Sequence, residues 1–272
     1  MICFCHMIKT AGLTLHYIFR NNYGFNYVRT EKVNFTPDDL YTLLRLNRNI
    51  KAISGESLRS VTKLESICPD LKYITFLRDP IERYLSHYNY GRLRNFHKLS
   101  LEERIKIRGE MDYQVKFILG AQNRKEMDFK AGLKEIEKAR KIIMNDFAFV
   151  GLVEKFDESL ILMKKILNLR NFDLRYQRMN VTTKKIITKD DIPNHLMKEL
   201  EKANEVDYDL YRFVKKELFK KQKNKYVGNI IEDINNFRFY NNNYTFKRSK
   251  ILSSRIGQYL VYEPAIRIKL FQ

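Results

Sequence analysis

Phe4-Cys5-His6-Met7-Ile8-Lys9-Thr10-Ala11-Gly12-Leu13-Thr14-Leu15 and, about seventy residues further on, Tyr73-Ile74-Thr75-Phe76-Leu77-Arg78-Asp79-Pro80-Ile81-Glu82-Arg83-Tyr84-Leu85-Ser86-His87-Tyr88 share one plan. Each reads as a short apolar strand, a turn carrying phosphate-seeking groups, and a helix. In the first, Lys9, Thr10, Gly12 and Thr14 surround a helix N-terminus, where unpaired N–H groups and the helix dipole favour an anion. In the second, Arg78 ends the strand and Ser86 follows eight residues later. Two such sites suit a nucleotide with phosphate groups at two separate positions.

Working outward, the first strand is expected at Ile2 to His6 and its helix at Leu13 to Asn22. Lys51 to Ser54 and Tyr73 to Leu77 are further strands, with a helix at Ser57 to Ser66 between them. Asp79 is placed as N-cap and Pro80 as first residue of a helix running to Leu93. These βα units predict a parallel sheet with helices on both faces. Leu99 to Asn145 is charged and helical in pattern. Phe147 to Leu152 is another strand, followed by the amphipathic stretch Phe156 to Leu169. Beyond Lys220 the composition turns Asn-rich and aromatic, then basic, without a repeat.

The chain has 272 residues, enough for one good core and a small appendage. A formal charge of +19 favours polyanions electrostatically, although a composition rich in Lys, Asn and Ile raises charge without any binding role. The three cysteines, Cys3, Cys5 and Cys68, do not make a disulfide framework. Cys3 and Cys5, two apart, are expected on one face of a buried strand. No His/Asp/Glu cluster has metal spacing, so no metal is expected. No apolar run has the length of a membrane span and no signal peptide precedes the first strand, so a cytoplasmic protein without a transmembrane segment is expected.

The two opening segments resemble the 3′-phosphoadenosine 5′-phosphosulfate (PAPS)-dependent sulfotransferases, especially the carbohydrate 2-O-sulfotransferase and bacterial branch. Phe76 to Ser86 matches that family's Phe-Leu-Arg-Asp-Pro-x-x-Arg-x-x-Ser at every fixed position, which the resemblance assigns to the 3′-phosphate. Lys9, Thr10, Ala11, Gly12, Thr14 and Leu15 match the 5′-phosphosulfate segment. Ile8 replaces a proline there, and Leu13 replaces a hydroxyl residue, losing a side-chain hydrogen bond but keeping the backbone N–H. Phe149 to Ser159 is similar to a third family segment and reads as structural. Asn180 to Lys185 resembles a loop near the cofactor, and Asn204 to Phe219 the family's closing helix. The resemblance implies an α/β, P-loop-like three-layer fold with a central parallel sheet flanked by helices. It divides the chain into a sulfotransferase domain, 1–220, and an extension, 221–272, packed on the same domain. PAPS would be the donor and PAP the product, with Lys9, Thr10, Ala11, Gly12, Leu13, Thr14, Leu15, Arg78 and Ser86 binding it.

Sulfuryl transfer asks the protein to align the reactants and neutralise charge on the departing oxygen. Lys9, an ammonium on a flexible stem, suits that task. The branch places a catalytic His after Gly at the end of the second strand. Ile53-Ser54-Gly55-Glu56-Ser57 has Glu56 there, and a carboxylate held near the acceptor with a raised pKa serves as general base. His87 is the rival base, but adjacent helical residues point about 100° apart, so His87 need not face the cofactor when Ser86 does. His6 ends the first strand, where it either approaches the site or is equally a hydrogen-bonded strand-end residue, and is ranked behind Glu56; Arg83 is read as an ion-pair partner of Asp79. The expected acceptor is a hydroxyl, less readily an amine, of a carbohydrate or related molecule; nucleic acid is not expected. A P-loop nucleotide kinase is the first alternative, but the Lys precedes the only Gly of the segment, against the Gly-x-x-x-x-Gly-Lys order. A catalytically decayed PAP- or acidic-glycan-binding protein is the second.

Overall fold

The strands are short, nearly continuous apolar runs, as a parallel sheet covered on both faces requires. In the computed structural model, which describes residues 1–177 and 186–270, they are β1 (Ile2–Cys5), β2 (Tyr27–Arg29), β3 (Ala52–Gly55), β4 (Lys72–Leu77) and β5 (Phe147–Leu152). All pairings are parallel, in the order β2-β3-β1-β4-β5. Ile2 stands opposite Ala52 on one side and Lys72 on the other, and Cys5 opposite Gly55. Every residue of β1 is buried, including the free thiols of Cys3 and Cys5.

Helices α1 (Gly12–Tyr23), α2 (Pro37–Leu46), α3 (Pro80–Leu93), α4 (Leu101–Ile105), α5 (Tyr113–Ile118), α6 (Arg124–Met127), α7 (Leu133–Asp146) and α8 (Phe156–Ile166) surround the sheet. The expected strands and the helix from Pro80 agree with this within a residue or two. The α/β three-layer class is the one observed. Neither β2 nor α2 was foreseen. β2 is three residues long, too short to show a period. α2 does carry a sequence signal, a capping box between Thr36 and Asp39 with Pro37 at its first turn.

The helix expected over Ser57 to Ser66 is replaced by two short 3₁₀ turns, Ser60–Thr62 and Leu64–Ser66. Lys63 between them is left-handed, with φ 56°. Arg59 donates to the carbonyls of Glu56 (2.6 Å), Leu58 (2.9 Å) and Ala121 (2.9 Å), so a side chain occupies acceptors that helical N–H groups would otherwise use.

The chain continues through α9 (Asn194–Ala203), α10 (Glu205–Phe213), a π-helical stretch (Val214–Leu218) and α11 (Phe219–Asn224). The helix expected from Asn204 therefore begins at Glu205 and widens midway. Three further helices follow: α12 (Ile230–Asn241), α13 (Arg248–Ile256) and α14 (Glu263–Arg267). This C-terminal segment contacts the earlier helices: Arg20 donates to Gln258, in a π-helical stretch between α13 and α14, at 2.7 Å; Asn21 donates to Tyr244, between α12 and α13, at 3.0 Å; and Arg238 of α12 pairs with Asp157 at 2.7 Å. The loop resemblance at Asn180 to Lys185 lies outside the described residues.

Strand order places the site. From β1 the chain passes through α1 towards β2 and β3, whereas from β4 it passes through α3 towards β5. The two exits diverge, and the carboxyl ends of β1 and β4 flank the crevice where open α/β sheets take ligands. A second apolar cluster, with Ile81, Tyr84, Leu85 and Tyr88 of α3 against Leu196 and Leu200 of α9, fixes α3 beside it. Each such buried side chain contributes about 1.5–3 kcal/mol, enough to make α3 a firm platform.

Candidate active site

Between β1 and α1 the loop turns sharply at Lys9 (φ 69°) and Ala11 (φ 62°), both left-handed. Such non-glycine conformations cost about 1–2 kcal/mol each and draw successive N–H groups into a concave, anion-seeking surface. The N–H groups of Gly12, Leu13 and Thr14 have no hydrogen-bond partner among the described residues. Thr10 is fully buried and its hydroxyl donates to the Met7 carbonyl at 2.9 Å, so it braces the loop. Leu15 turns into the core, and its N–H is taken by the Ala11 carbonyl at 3.3 Å. Gly12 is required sterically, because a Cβ there would lie 1.8 Å from Nε2 of His6.

The Lys9 ammonium stands 4.4 Å from the centre of the Tyr90 ring, a cation–π contact from α3. Burial pushes its pKa down, Arg78 adds to that, and Glu56 opposes it. Arg78 reaches back to donate to the Lys9 carbonyl at 3.4 Å and pairs with Glu82 at 3.2 Å. Its backbone is clamped by Gln114, which accepts from the Arg78 N–H at 3.0 Å and donates to its carbonyl at 2.9 Å. Arg78 and Ser86 line one small cavity of about 40 Å³, together with Asn89, Thr188 and Lys189. The two side chains therefore face one small space. Asn89, which sequence reasoning missed, holds the facing segment: it accepts from the N–H groups of Ile186 and Ile187 at 2.9 and 3.0 Å and donates to the Ile187 carbonyl at 2.8 Å.

Asp79 caps α3, accepting from the Glu82 N–H at 3.1 Å. Arg83 does not pair with it, contrary to expectation. Its side chain is buried, donates to the Glu110 carbonyl at 3.2 Å and lies 4.5 Å from the Tyr113 ring centre. Burial pushes its pKa down, opposed by Asp207, Tyr113 and Glu110. Glu154 and Ser159 of the third segment are structural contacts. Glu154 accepts from the Asp79 N–H at 2.8 Å, and Ser159 bonds both N–H and carbonyl of Leu152.

Glu56 follows β3 at the same edge of the sheet. Gly55 before it lets β2 approach, since a Cβ there would meet Thr30 at 2.8 Å. No helix starts at Glu56, so a helix dipole does not account for a carboxylate at this position. Its side chain is about half exposed (52 %) and faces a cavity of about 320 Å³ lined also by Arg29, Thr30, Glu31, Lys32, Val33, Ser57 and Gln122. Lost hydration pushes its pKa upward; Arg29 opposes this, Glu31 adds to it, and Arg59 and Lys9 oppose it further. Nδ1 of His6 is 3.8 Å from Oε1 of Glu56. His87 does not line that cavity, and its pKa is pushed down to about 3, chiefly by burial with Arg83 and Arg104 adding.

Among the described residues no group of three His, Cys, Asp or Glu is placed to hold a metal ion, and no helix is long and apolar enough to cross a membrane. No curated protein matches the chain. A model of the sulfotransferase family matches residues 1–214, a span that runs from β1 through both phosphate-seeking turns and β5 to the end of α10. Over most of its length, therefore, this chain belongs to the sulfotransferase family.

Proposed function

We propose that the enzyme transfers a sulfuryl group from PAPS to a hydroxyl of a carbohydrate or related acceptor, with Glu56 as general base. The observation that carries this reading is the direct junction of two anion-seeking sites, Lys9–Thr14 and Arg78–Ser86, with a raised-pKa carboxylate in the adjoining cavity.

The residues suit the donor. Three N–H groups at the start of α1 lack partners among the described residues, and an anion supplies the acceptors they need. Arg78 presents a fork matched to a phosphate, and Ser86 a hydroxyl beside it. PAPS, when bound, supplies a sulfuryl group carried on a phosphate leaving group. Lys9 and the N–H groups of Gly12, Leu13 and Thr14 hold anionic oxygens and meet the charge that builds on them. Leu13 contributes through its backbone, so the missing hydroxyl leaves the cradle intact. Arg78 and Ser86 hold the second phosphate. Glu56 takes the proton from the acceptor hydroxyl at its carboxylate, a role favoured by its raised pKa.

The cavity beside Glu56 suggests the acceptor's character. Arg29 and Lys32 are balanced there by Glu31 and Glu56, and Lys32 is already paired with the buried Asp39. A charge-balanced, polar cavity near the small end of the ligand-site range suits a polyhydroxylated group of about one sugar ring. Net charge over the whole surface bears little on that local preference.

Sulfate transfer from labelled PAPS to a panel of glycans tests the reading. A labelled saccharide product, lost in Glu56→Gln, is expected. Tight ATP binding without PAP binding would point to a nucleotide kinase.

A further inference from the structure

Behind the Lys9–Thr14 loop lies a buried polar chain that the mechanism above does not use. His16 and Ser54 are fully buried, as is Tyr27, while His6 is 7 % exposed. Nε2 of His16 is 3.1 Å from Nδ1 of His6. Nδ1 of His16 is 2.6 Å from the Tyr27 hydroxyl and 2.9 Å from the Ser54 hydroxyl, and the two hydroxyls contact each other.

Counting protons orients this chain. The hydroxyls bring two protons into a triangle whose corners are their own oxygens and Nδ1 of His16. With Nδ1 unprotonated, Ser54 donates to Tyr27 and Tyr27 donates to Nδ1, and every proton is placed. With Nδ1 protonated, no lone pair remains there, and one hydroxyl proton has no acceptor among the described residues. That would cost about 1–3 kcal/mol. His16 therefore carries its proton on Nε2 and donates it to Nδ1 of His6, which leaves the His6 proton on Nε2. Burial keeps both rings neutral, driving the His6 pKa down to about 3 with Arg29 and Lys9 adding to the effect.

That outward Nε2–H has no hydrogen-bond partner among the described residues. It lies against Gly12, the first residue of α1, at the place where a Cβ would be. On the other side of the ring stands the Glu56 carboxylate, 3.8 Å from Nδ1. This donor, on a ring that is otherwise buried, has no acceptor among the described residues and is held between the anion-seeking loop and the base. The part of the donor that must face both the base and the acceptor is the sulfuryl group.

We propose, on the strength of the donor reading above, that His6 is a further catalytic residue whose Nε2–H donates to an oxygen of the sulfuryl group carried at the Lys9–Thr14 loop. His16, Tyr27 and Ser54 are positioning residues that fix its tautomer. The bond forms and is released without transfer of the His6 proton.

Two measurements test this. Nitrogen-15 spectra of the wild-type protein are expected to show the Nε2–H tautomer for both His6 and His16, and need no substitution. Calorimetric titrations with PAP and with PAPS are then compared across variants. His6→Leu is expected to weaken PAPS binding roughly five- to tenfold while PAP binding stays within about twofold. His6→Gln, which restores a donor, is expected to recover most of the loss. An Nδ1–H tautomer at His6, or equal weakening of PAP and PAPS, overturns the proposal, since the latter is what a packing role against Gly12 would give. If His6→Leu leaves PAPS binding unchanged, only this proposal falls; if the wild type binds neither nucleotide, the donor reading falls with it.

Discussion

The Arg78 guanidinium donates to the backbone carbonyl of Lys9 across 3.4 Å, so the two anion-seeking turns touch through their own residues. Arg78→Lys keeps the charge but loses both the fork and the reach to that carbonyl. PAP affinity measured by calorimetry is expected to fall on the order of tenfold or more, as for loss of a charged hydrogen bond. Unchanged affinity would remove Arg78 from the nucleotide site.

Glu56→Gln keeps the shape of the side chain and removes its basicity. Turnover is expected to fall on the order of a hundredfold or more, with PAP affinity retained. Catalysis by a carboxylate needs its deprotonated form, and the Glu56 pKa is raised, so activity should decline with falling pH at a point above the ordinary carboxylate range. A pH–rate profile with no such acidic limb would argue for a different base.

Asn89 holds residues 186–187 by three hydrogen bonds opposite Arg78 and Ser86. Asn89→Ala leaves two N–H groups and a carbonyl without those partners. The variant is expected to lose about 1–3 kcal/mol in urea unfolding. It should also bind PAP more weakly, because Thr188 and Lys189 line the same cavity. Full stability together with normal PAP affinity would show that this clamp is dispensable.

Three histidines make the fold acid-sensitive. Burial lowers the pKa of His6 and of His87 from 6.5 to about 3, and that of His16 well below 6.5. As pH drops below 6.5 the unfolded chain takes up protons that the native chain refuses, and folding loses free energy progressively towards pH 3. Asp112, its pKa raised to about 7 by burial and by Asp207, opposes this by taking up a proton in the native chain first, so the histidine contribution is read from the difference in urea midpoints between wild type and a histidine variant at pH 5 and pH 7.5. His16→Phe, which removes one such site, should flatten that dependence even if it lowers stability at pH 7.5. A His16→Phe profile parallel to that of the wild type would mean that the His16 ring takes up its proton in the native protein as readily as in the unfolded chain.

Much of the site was legible because its signals are local. A Lys, a Gly and hydroxyl residues around a helix start, or Asp79-Pro80 opening α3, act through hydrogen bonds and dihedral preferences within a few residues. Lys9, Gly12 and Arg78 could be named on that basis as candidates, Ser86 joined Arg78 through the family resemblance, and the parallel sheet followed from repeated strand-to-helix units. Where distant side chains decide local structure, the same reasoning failed. The helix expected at Ser57 to Ser66 is absent because Arg59 takes its carbonyls and also reaches Ala121. Arg83, expected on Asp79 four residues away, is drawn instead into a buried site at Glu110 and Tyr113.

By itself, the sequence determined the α/β class, the two phosphate-seeking turns and the presence of a carboxylate after the strand that ends at Gly55. Only the tertiary structure decided that Arg78 meets Lys9, that Asn89 clamps the opposite wall, and that Glu56 shares a cavity with β2-end residues. It alone joined His6, for which the sequence left both a strand-end and a site role open, to the buried chain of His16, Tyr27 and Ser54. The reason is physical: strand order and burial bring residues tens of positions apart into contact, and the loss of water there sets which groups must find partners and which pKa values move.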